Sequence, residues 1–462
     1  MIDFHNDKNI SVQILDQNNE YYSAILDINK SSITLDIYAE SNEKRHLNLD
    51  YLNMTSIECR GFGKTYVLYG LQLRSHSTEG LSGSDSQRAA LRVQFYASSL
   101  IAIEASPYFG EKVIEELEIE SEVLEQWIGT TSTQQKIPSL SVDDSLAQNG
   151  KALKEFEVSI GDLGHLSLKY KRKIGGIDKF IVGMSFPPRL TMQFKKAQSF
   201  EEALCVLNKL KHIMSFIVGR SFECKVHLKL PRRIEGFFFQ IQSGSKSNGR
   251  EVVLYPLLHN SIDPSFAARL PPFDVLAFDR FFNLSTQTQC KWDKYLCYKN
   301  MENSEERYLG YFRLLESLIY KEEHFLDPSV FDEFIESHYK DLAQYFDVKT
   351  KRMKDFLRYI GVHVNPKKYN VERSLNKLYR GLPLELRENL KYKQSDIRRV
   401  VSLRNDITHA RSHSIETSEL DDLLAFLEAL LILEMYKEIG IDYEVSMWVV
   451  TRMNQFVRIR TL

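Results

Sequence analysis

The sequence predicts an α+β protein, a β-rich N-terminal domain followed by an all-α helix bundle. Three observations carry that expectation. Residues 9 to about 105 alternate apolar and polar side chains with a period of two. The same texture resumes from about residue 156 to 270 around one long amphipathic helix, and from Ser304 onward every apolar stripe has a helical period. The chain has 462 residues, 43% of them hydrophobic, enough to bury more than one sizeable core. The expected division is residues 1–285 and 286–462, with a further break inside the first part near 130–150.

The first strands are ISVQILD, YYSAILDI, SSITLDIYA, KTYVLYGLQLRS and LRVQFYASSLIAIE, rich in the Ile, Val, Tyr and Thr that suit a half-buried pleat. SHSTEGLSGSDS, residues 75–86, reads as a loop. EKVIEELEIESEVLEQWIG reads as a helix, and TTSTQQKIPSLSVDDSLAQNG after it as a long loop or linker. FEVSI, HLSLKYKRK and LTMQF are the next strands. SFEEALCVLNKLKHIMSFIVG is the amphipathic helix, with Leu204, Leu207, Leu210 and Met214 on one face. FECKVHLKL, GFFFQIQ and EVVLYPLL close the β-rich part as strands.

The helical part follows ARLPPFDVLAFDRFF. SEERYLGYFRLLESLIY aligns Tyr308, Phe312, Leu315 and Ile319, with Ser304 as the expected N-cap. PSVFDEFIESHYKDLAQYF, KTKRMKDFLRYIG and VERSLNKLYRG come next, the last two ending at Gly361 and Gly381. KQSDIRRVVSLRNDITHARSH and SELDDLLAFLEALLILEMYKEIG complete the bundle, the latter with a Ser418 to Asp421 capping box and Gly440 at its close.

Sixty Lys and Arg against 62 Asp and Glu leave a net charge of −2, so affinity for nucleic acid has to come from a local patch. The five cysteines are scattered without a CxxC pair, which excludes a disulfide framework or cysteine zinc site as a sequence expectation and fits a reducing compartment. MIDFHNDKNI lacks a basic and apolar leader, and the most apolar late run is broken by Glu428 and Glu434, so the expectation is a soluble, cytoplasmic protein without a membrane span. CRGFGKTY lacks the first glycine of a phosphate-binding loop, since position 58 is glutamate, and it does not open a helix. Lys169, Lys171 and Lys173 alternate on one strand face, which reads better as an edge-strand guard than as a phosphate grip.

LRNDITHARSH, residues 403–413, is different. Four residues separate Arg404 from His409. Twelve histidines yield about two arginine-to-histidine pairs with four to six intervening residues by chance. Three occur: Arg220 to His227, Arg358 to His363 and Arg404 to His409. The first lies in a strand-like run and the second crosses the glycine expected to end its helix, so context selects the third. On a helix Asn405 and His409 share a face and Arg404 lies about 140° and 7.5 Å from His409, so guanidinium and imidazole can flank one groove. Val400, Leu403, Ile407 and Ala410 form the apolar stripe, which turns the polar trio away from the core. Between Lys391 and His413 six Lys and Arg oppose two Asp, a field suited to a polyanion. The chemistry these parts fit is RNA transesterification: an imidazole, with an unperturbed pKa near 6.5, moves protons at a ribose 2′-OH or leaving 5′-oxygen, and an arginine braces phosphoryl charge. No metal or other cofactor is expected.

The chain resembles the HEPN superfamily over about residues 290–440, through RNDITH and an early helix, YFRLLESLI, whose Glu316 matches an acidic position. With a large domain ahead of the bundle it is similar in architecture to the ApeA type of anti-phage HEPN protein. The resemblance implies Arg404, Asn405 and His409 as the catalytic set with Glu316 in support. Lys393, Arg398, Arg399, Arg411 and His413 are the expected RNA contacts. It further implies a homodimer through the HEPN domain and metal-independent cleavage of RNA, tRNA in particular, in abortive infection. A phage-derived trigger, a protein, is expected to act through the N-terminal domain. The helices from 328 to 390 are longer than a minimal HEPN bundle needs. The alternative is a non-catalytic HEPN binding or assembly module whose β domain recognises a protein or small ligand.

Overall fold

The structure, a computed structural model, describes residues 8–16, 20–29, 31–41, 47, 54–80, 89–106, 108, 112–137, 153–178, 181–241, 252–258, 269–321, 324–365, 370–409 and 415–461. It divides into two compact units, Met1–Leu284 and Ser285–Leu462.

The first unit is built on β1 (Lys8–Leu15), β2 (Tyr21–Ile28), β3 (Ile33–Ser41), β4 (Ser56–Gly61), β5 (Lys64–Tyr69), β6 (Gln72–Gly80), β7 (Ala89–Ala97), β8 (Ser99–Ile103), β9 (Val113–Glu120), β10 (Leu153–Ile160), β11 (Gly164–Tyr170), β12 (Lys173–Asp178), β13 (Ile181–Ser185), β14 (Pro188–Ser199), β15 (Lys225–Leu230) and β16 (Ile234–Gln240). Fourteen of these join in one antiparallel sheet, ordered β10-β11-β14-β9-β15-β16-β8-β5-β4-β1-β2-β3-β7-β6, and β12 and β13 form a separate hairpin. The period-2 pattern does what alternation dictates: Ile14, Leu26, Ile28, Leu35, Ile37, Val93, Phe95, Leu68 and Leu100 meet in one core. Among the described residues, the α-helices of this unit are α1 (Glu122–Ile128), α2 (Ser132–Lys136), α3 (Phe200–Val218) and α4 (Leu276–Phe282). Of the apolar face foreseen for α3, Leu207, Leu210 and Met214 are buried and Leu204 is half-buried, and Ala203, Val206 and Ile213 widen it. Trp127 of α1 sits edge-on to Phe156, Phe273 and Phe278 and donates from Nε1 to the Tyr255 carbonyl at 3.0 Å.

Five sequence expectations are corrected here. VIEELEIE is strand β9 rather than helix, because Glu116, Glu118 and Glu120 each find a cation beside them, in Lys229, Lys171 and Arg189. Ser75–Gly80 belongs to β6, an edge strand whose open side tolerates the polar composition of a loop. Within the expected linker Thr131 caps α2 through a capping box, while 138–150 lie outside the described residues. Described residues 252–258 form no strand; the Leu254 and Tyr255 amides donate to the Val218 and Ile217 carbonyls that end α3. Nor is β11 an edge strand: it lies between β10 and β14, and Lys171, just past it, pairs with the buried Glu118 at 3.2 Å.

The second unit holds α5 (Thr286–Lys299), α6 (Ser304–Ile319), α7 (Pro328–Tyr345), α8 (Thr350–His363), α9 (Val371–Gly381), α10 (Leu384–Asn389), α11 (Ile397–Thr408), α12 (Thr417–Glu438), α13 (Tyr443–Val450) and α14 (Phe456–Ile459). Helix α12 is buried on all sides from Leu423 to Tyr436, and its two buried carboxylates are partnered: Glu428 accepts from the Tyr295 hydroxyl at 2.8 Å, and Glu434 from that of Tyr443. Burial, then the charge of Glu428, holds the Tyr295 hydroxyl well above its ordinary pKa. Helices α7 and α8 share a small core of Phe331, Ile335, Ala343, Met353 and Leu357.

The helix ends differ from the sequence expectation in three places. Asn303 rather than Ser304 caps α6, accepting from the Glu305 and Glu306 amides. Helix α8 runs through Gly361 to His363, because at Gly361 the missing side chain makes room for the Phe331 ring instead of ending the helix. Helix α12 starts at Thr417 without a side-chain cap, and Asp421 and Asp422, in its second turn, pair with Arg458 and Lys391 instead. Gly440, at φ 76°, does close α12 in the left-handed conformation. Among the described residues no helix is long and apolar enough to cross a membrane.

Candidate active site

Helix α11 is anchored at its start and polar at its end. Ile397, Val400 and Leu403 are buried, and the buried Tyr308 hydroxyl of α6 donates to the Val400 carbonyl at 2.8 Å. One turn later the same two helices meet through Arg404. Its guanidinium carbon lies 5.4 Å from the centre of the Phe312 ring, its Nη1 donates to Asn405 Oδ1 at 3.0 Å, and its Nη2 reaches Glu316 Oε2 at 3.3 Å. Tyr308, Phe312 and Glu316 recur every four residues, so one ridge of α6 supplies the tether, the platform and the carboxylate.

The trio therefore does not simply face away from the core. The Arg404 and Glu316 side chains are 28% and 24% exposed, which shields their attraction from solvent more than a surface pair would be. The aromatic face below and the carboxylate beside it fix the guanidinium in direction, leaving further N–H donors for an anion. Ile407 is only half-buried, and Ala410 lies outside the described residues.

His409 marks the end of α11. Its amide still donates to the Asn405 carbonyl at 3.0 Å, its φ is −97°, and the Thr408 hydroxyl bonds back to the Arg404 carbonyl at 2.7 Å. The His409 side chain is exposed and has no hydrogen-bond or ion-pair partner among the described residues. An imidazole in that condition is accessible to an incoming hydroxyl or leaving oxygen. Among the described residues no three His, Cys, Asp or Glu side chains group as a metal would require.

The expected RNA contacts divide. Lys393 donates to the Arg387 and Glu388 carbonyls, each at 3.0 Å, closing the end of α10, and Arg399 pairs with Glu419 of α12. Arg398 is exposed without an ion-pair partner among the described residues, whereas Arg411 and His413 lie outside them. The competing pairs sit elsewhere. His227 lies on β15 against Phe237 with Glu120 at 3.7 Å, and the His363 ring lies tilted against Tyr359 at the end of α8. Sequence reading missed Phe312 as the Arg404 platform; its place on the Tyr308–Phe312–Glu316 ridge was the available signal.

Residues 11–253 match the family model described as ApeA N-terminal domain 1, and residues 309–445 match the one described as Apea-like HEPN. The second match contains Phe312, Glu316, Arg404, Asn405 and His409. No curated protein and no solved structure matches the chain.

Proposed function

We propose, from the premise that this chain belongs to the ApeA-type HEPN anti-phage proteins, that its helical unit is a metal-independent endoribonuclease and its β-rich unit the part that senses infection. The observation that carries the reading is Arg404, seated on the Phe312 ring and held by Asn405 and Glu316, one turn before an exposed His409.

In this mechanism the His409 imidazole takes the proton of a ribose 2′-OH. The 2′-oxygen then attacks the adjacent phosphorus, the P–O5′ bond breaks, and the leaving 5′-oxygen receives a proton from a second imidazole, that of another copy of the chain across a HEPN dimer. The products are a 2′,3′-cyclic phosphate and a 5′-OH. Arg404 stabilises the negative charge that gathers on the phosphoryl oxygens, Glu316 and the Phe312 face keep it aimed, and Asn405 sets its second edge. We assign tRNA as the substrate, a phage protein as the trigger and the cytoplasm as the place of action.

End-mapping of RNA from cells expressing the protein, with the purified chain assayed in excess EDTA, tests the assignment. Cleavage should persist in EDTA, fail on a 2′-deoxy substitution at the scissile position, and leave cyclic phosphate ends. Activity lost in EDTA, restored by magnesium and yielding 5′-phosphates sinks the histidine mechanism. A chain harmless on expression and inert toward RNA under triggering infection is instead the non-catalytic binding module.

A further inference from the structure

A cavity of about 880 Å³ opens in the helical unit, lined by the last turn of α6, the polar face of α9, Gln394 ahead of α11, and the junction of α12 with α13. Its size suits a ligand rather than trapped solvent. Five cations line it, Lys321, Arg373, Lys377, Arg380 and Lys437, against two carboxylates, Glu372 and Glu434. One of those carboxylates is committed, since Glu434 is 6% exposed and accepts from the Tyr443 hydroxyl. The cavity is therefore electropositive, within a chain whose net charge is only −2.

The cations are ordered. Arg373, Lys377 and Arg380 stand at positions i, i+4 and i+7 of α9, one ridge about 10 Å long, while Leu375 and Tyr379 bury the opposite face. Arg380 lies beside Gln394, whose side-chain amide comes within 2.8 Å of Nη2 and 3.0 Å of Nε. Among the described residues Arg373 and Lys321 have no acidic partner.

We infer that this cavity binds the phosphate backbone of the RNA strand and holds nucleotides flanking the scissile bond, an inference that rests on the ribonuclease reading above. Two features favour a strand over a free nucleotide, which offers the same phosphate chemistry. A ridge about 10 Å long spans more than one consecutive backbone phosphate. The cavity also begins on a helix that contributes to the candidate active site: Leu318 and Ile319, in its wall, lie on α6 two and three residues past Glu316, about 3 to 4.5 Å further along the axis.

The test uses the full chain and a fluorescent single-stranded 2′-O-methyl oligonucleotide, which lacks the attacking hydroxyl. Affinity is measured across salt concentration for wild type, for Arg373→Glu combined with Lys321→Glu, and for Lys351→Glu on α8 as a control away from the cavity. The double variant should bind at least about tenfold more weakly, and its log K against log salt should flatten by about 1.4, two contacts at about 0.7 each. Arg373→Gln, with a smaller loss in the same direction and an unchanged circular dichroism spectrum, separates this from misfolding. Equal affinity and salt slope in wild type and double variant overturn the inference. So does ATP binding that requires Arg373 while oligonucleotide affinity stays equal, which assigns the cavity to a free nucleotide. Cavity-dependent oligonucleotide binding by a chain that cuts no RNA keeps the cavity and removes the ribonuclease reading.

Discussion

In the proposed mechanism Arg404 has two demands on one guanidinium: it stays where Glu316 and Phe312 hold it and still offers N–H groups to a phosphate. His409 has no such structural duty. The two alanine variants should therefore part in stability though not in activity. His409→Ala and Arg404→Ala should each lower RNA cleavage by at least about 10²-fold. His409→Ala should unfold like wild type, whereas Arg404→Ala should lose about 1 kcal/mol, because it leaves Glu316 without its cation and uncovers Phe312. Paired cleavage assays and denaturant titrations check both; wild-type cleavage by His409→Ala removes the assignment. His363→Ala and His227→Ala should cut as wild type does, since neither ring belongs to the Arg404 cluster.

At the scale of the helices, two glycines show how neighbours decide the sign of one substitution. A Cβ at Gly310 of α6 would stand 2.5 Å from the Tyr298 ring of α5, so Gly310→Ala should cost about 1–3 kcal/mol through overpacking. A Cβ at Gly381, the last residue of α9, meets nothing within 4 Å, and Gly381→Ala should gain about 0.4–1 kcal/mol by restricting the unfolded chain. Thermal unfolding reads both, at about 2–4 °C per kcal/mol, and a gain from Gly310→Ala contradicts the packing described. Acid sensitivity belongs to α7 and α8. Asp327, the N-cap of α7, is held below the usual carboxylate range by hydrogen bonds from Ser329 and Val330. Glu336 is held below it by Lys354 at 2.7 Å and then Arg358. Carboxylates depressed in the folded state add stability above their unfolded pKa of about 4 and lose it as pH falls through the folded value. Glu336→Gln should thus destabilise this pair of helices at pH 7 and match wild type near pH 2, as hydrogen exchange along α7 would report. A difference that persists unchanged in acid shows that the ion pairs are not its source.

For the whole molecule, the relevant fact is that each of the two units has its own complete framework, a fourteen-stranded sheet in one and a helix bundle in the other. A sheet of that size is more than a nuclease bundle needs, and coupling a signal to the bundle is the role proposed for it. Residues 286–462 alone should fold, form a dimer, and cut RNA without the trigger, making the fragment more toxic to an uninfected cell than the full chain. Growth curves and RNA profiles compare the two. A folded, dimeric fragment that is no more active and no less regulated than the full chain rules out restraint by the β-rich unit.

The sequence by itself determined the α+β division and the motif. Period-2 and helical stripes are local consequences of backbone geometry, and Arg404, Asn405 and His409 stand close enough in the chain for one helix to relate them. Family likeness supplied Glu316, but not what it touches. Only the tertiary structure decided the rest. VIEELEIE became a strand because cations on neighbouring segments pair with its glutamates, a gain invisible to any local window. Gly361 stayed inside a helix because a ring 30 residues earlier in the chain packs against it. Phe312 came to support Arg404, and Arg373 and Lys321 to share one cavity, because helix packing brings together groups that the chain holds far apart. Which charges pair with their neighbours, as Lys393 and Arg399 do, is decided by that packing and not by composition.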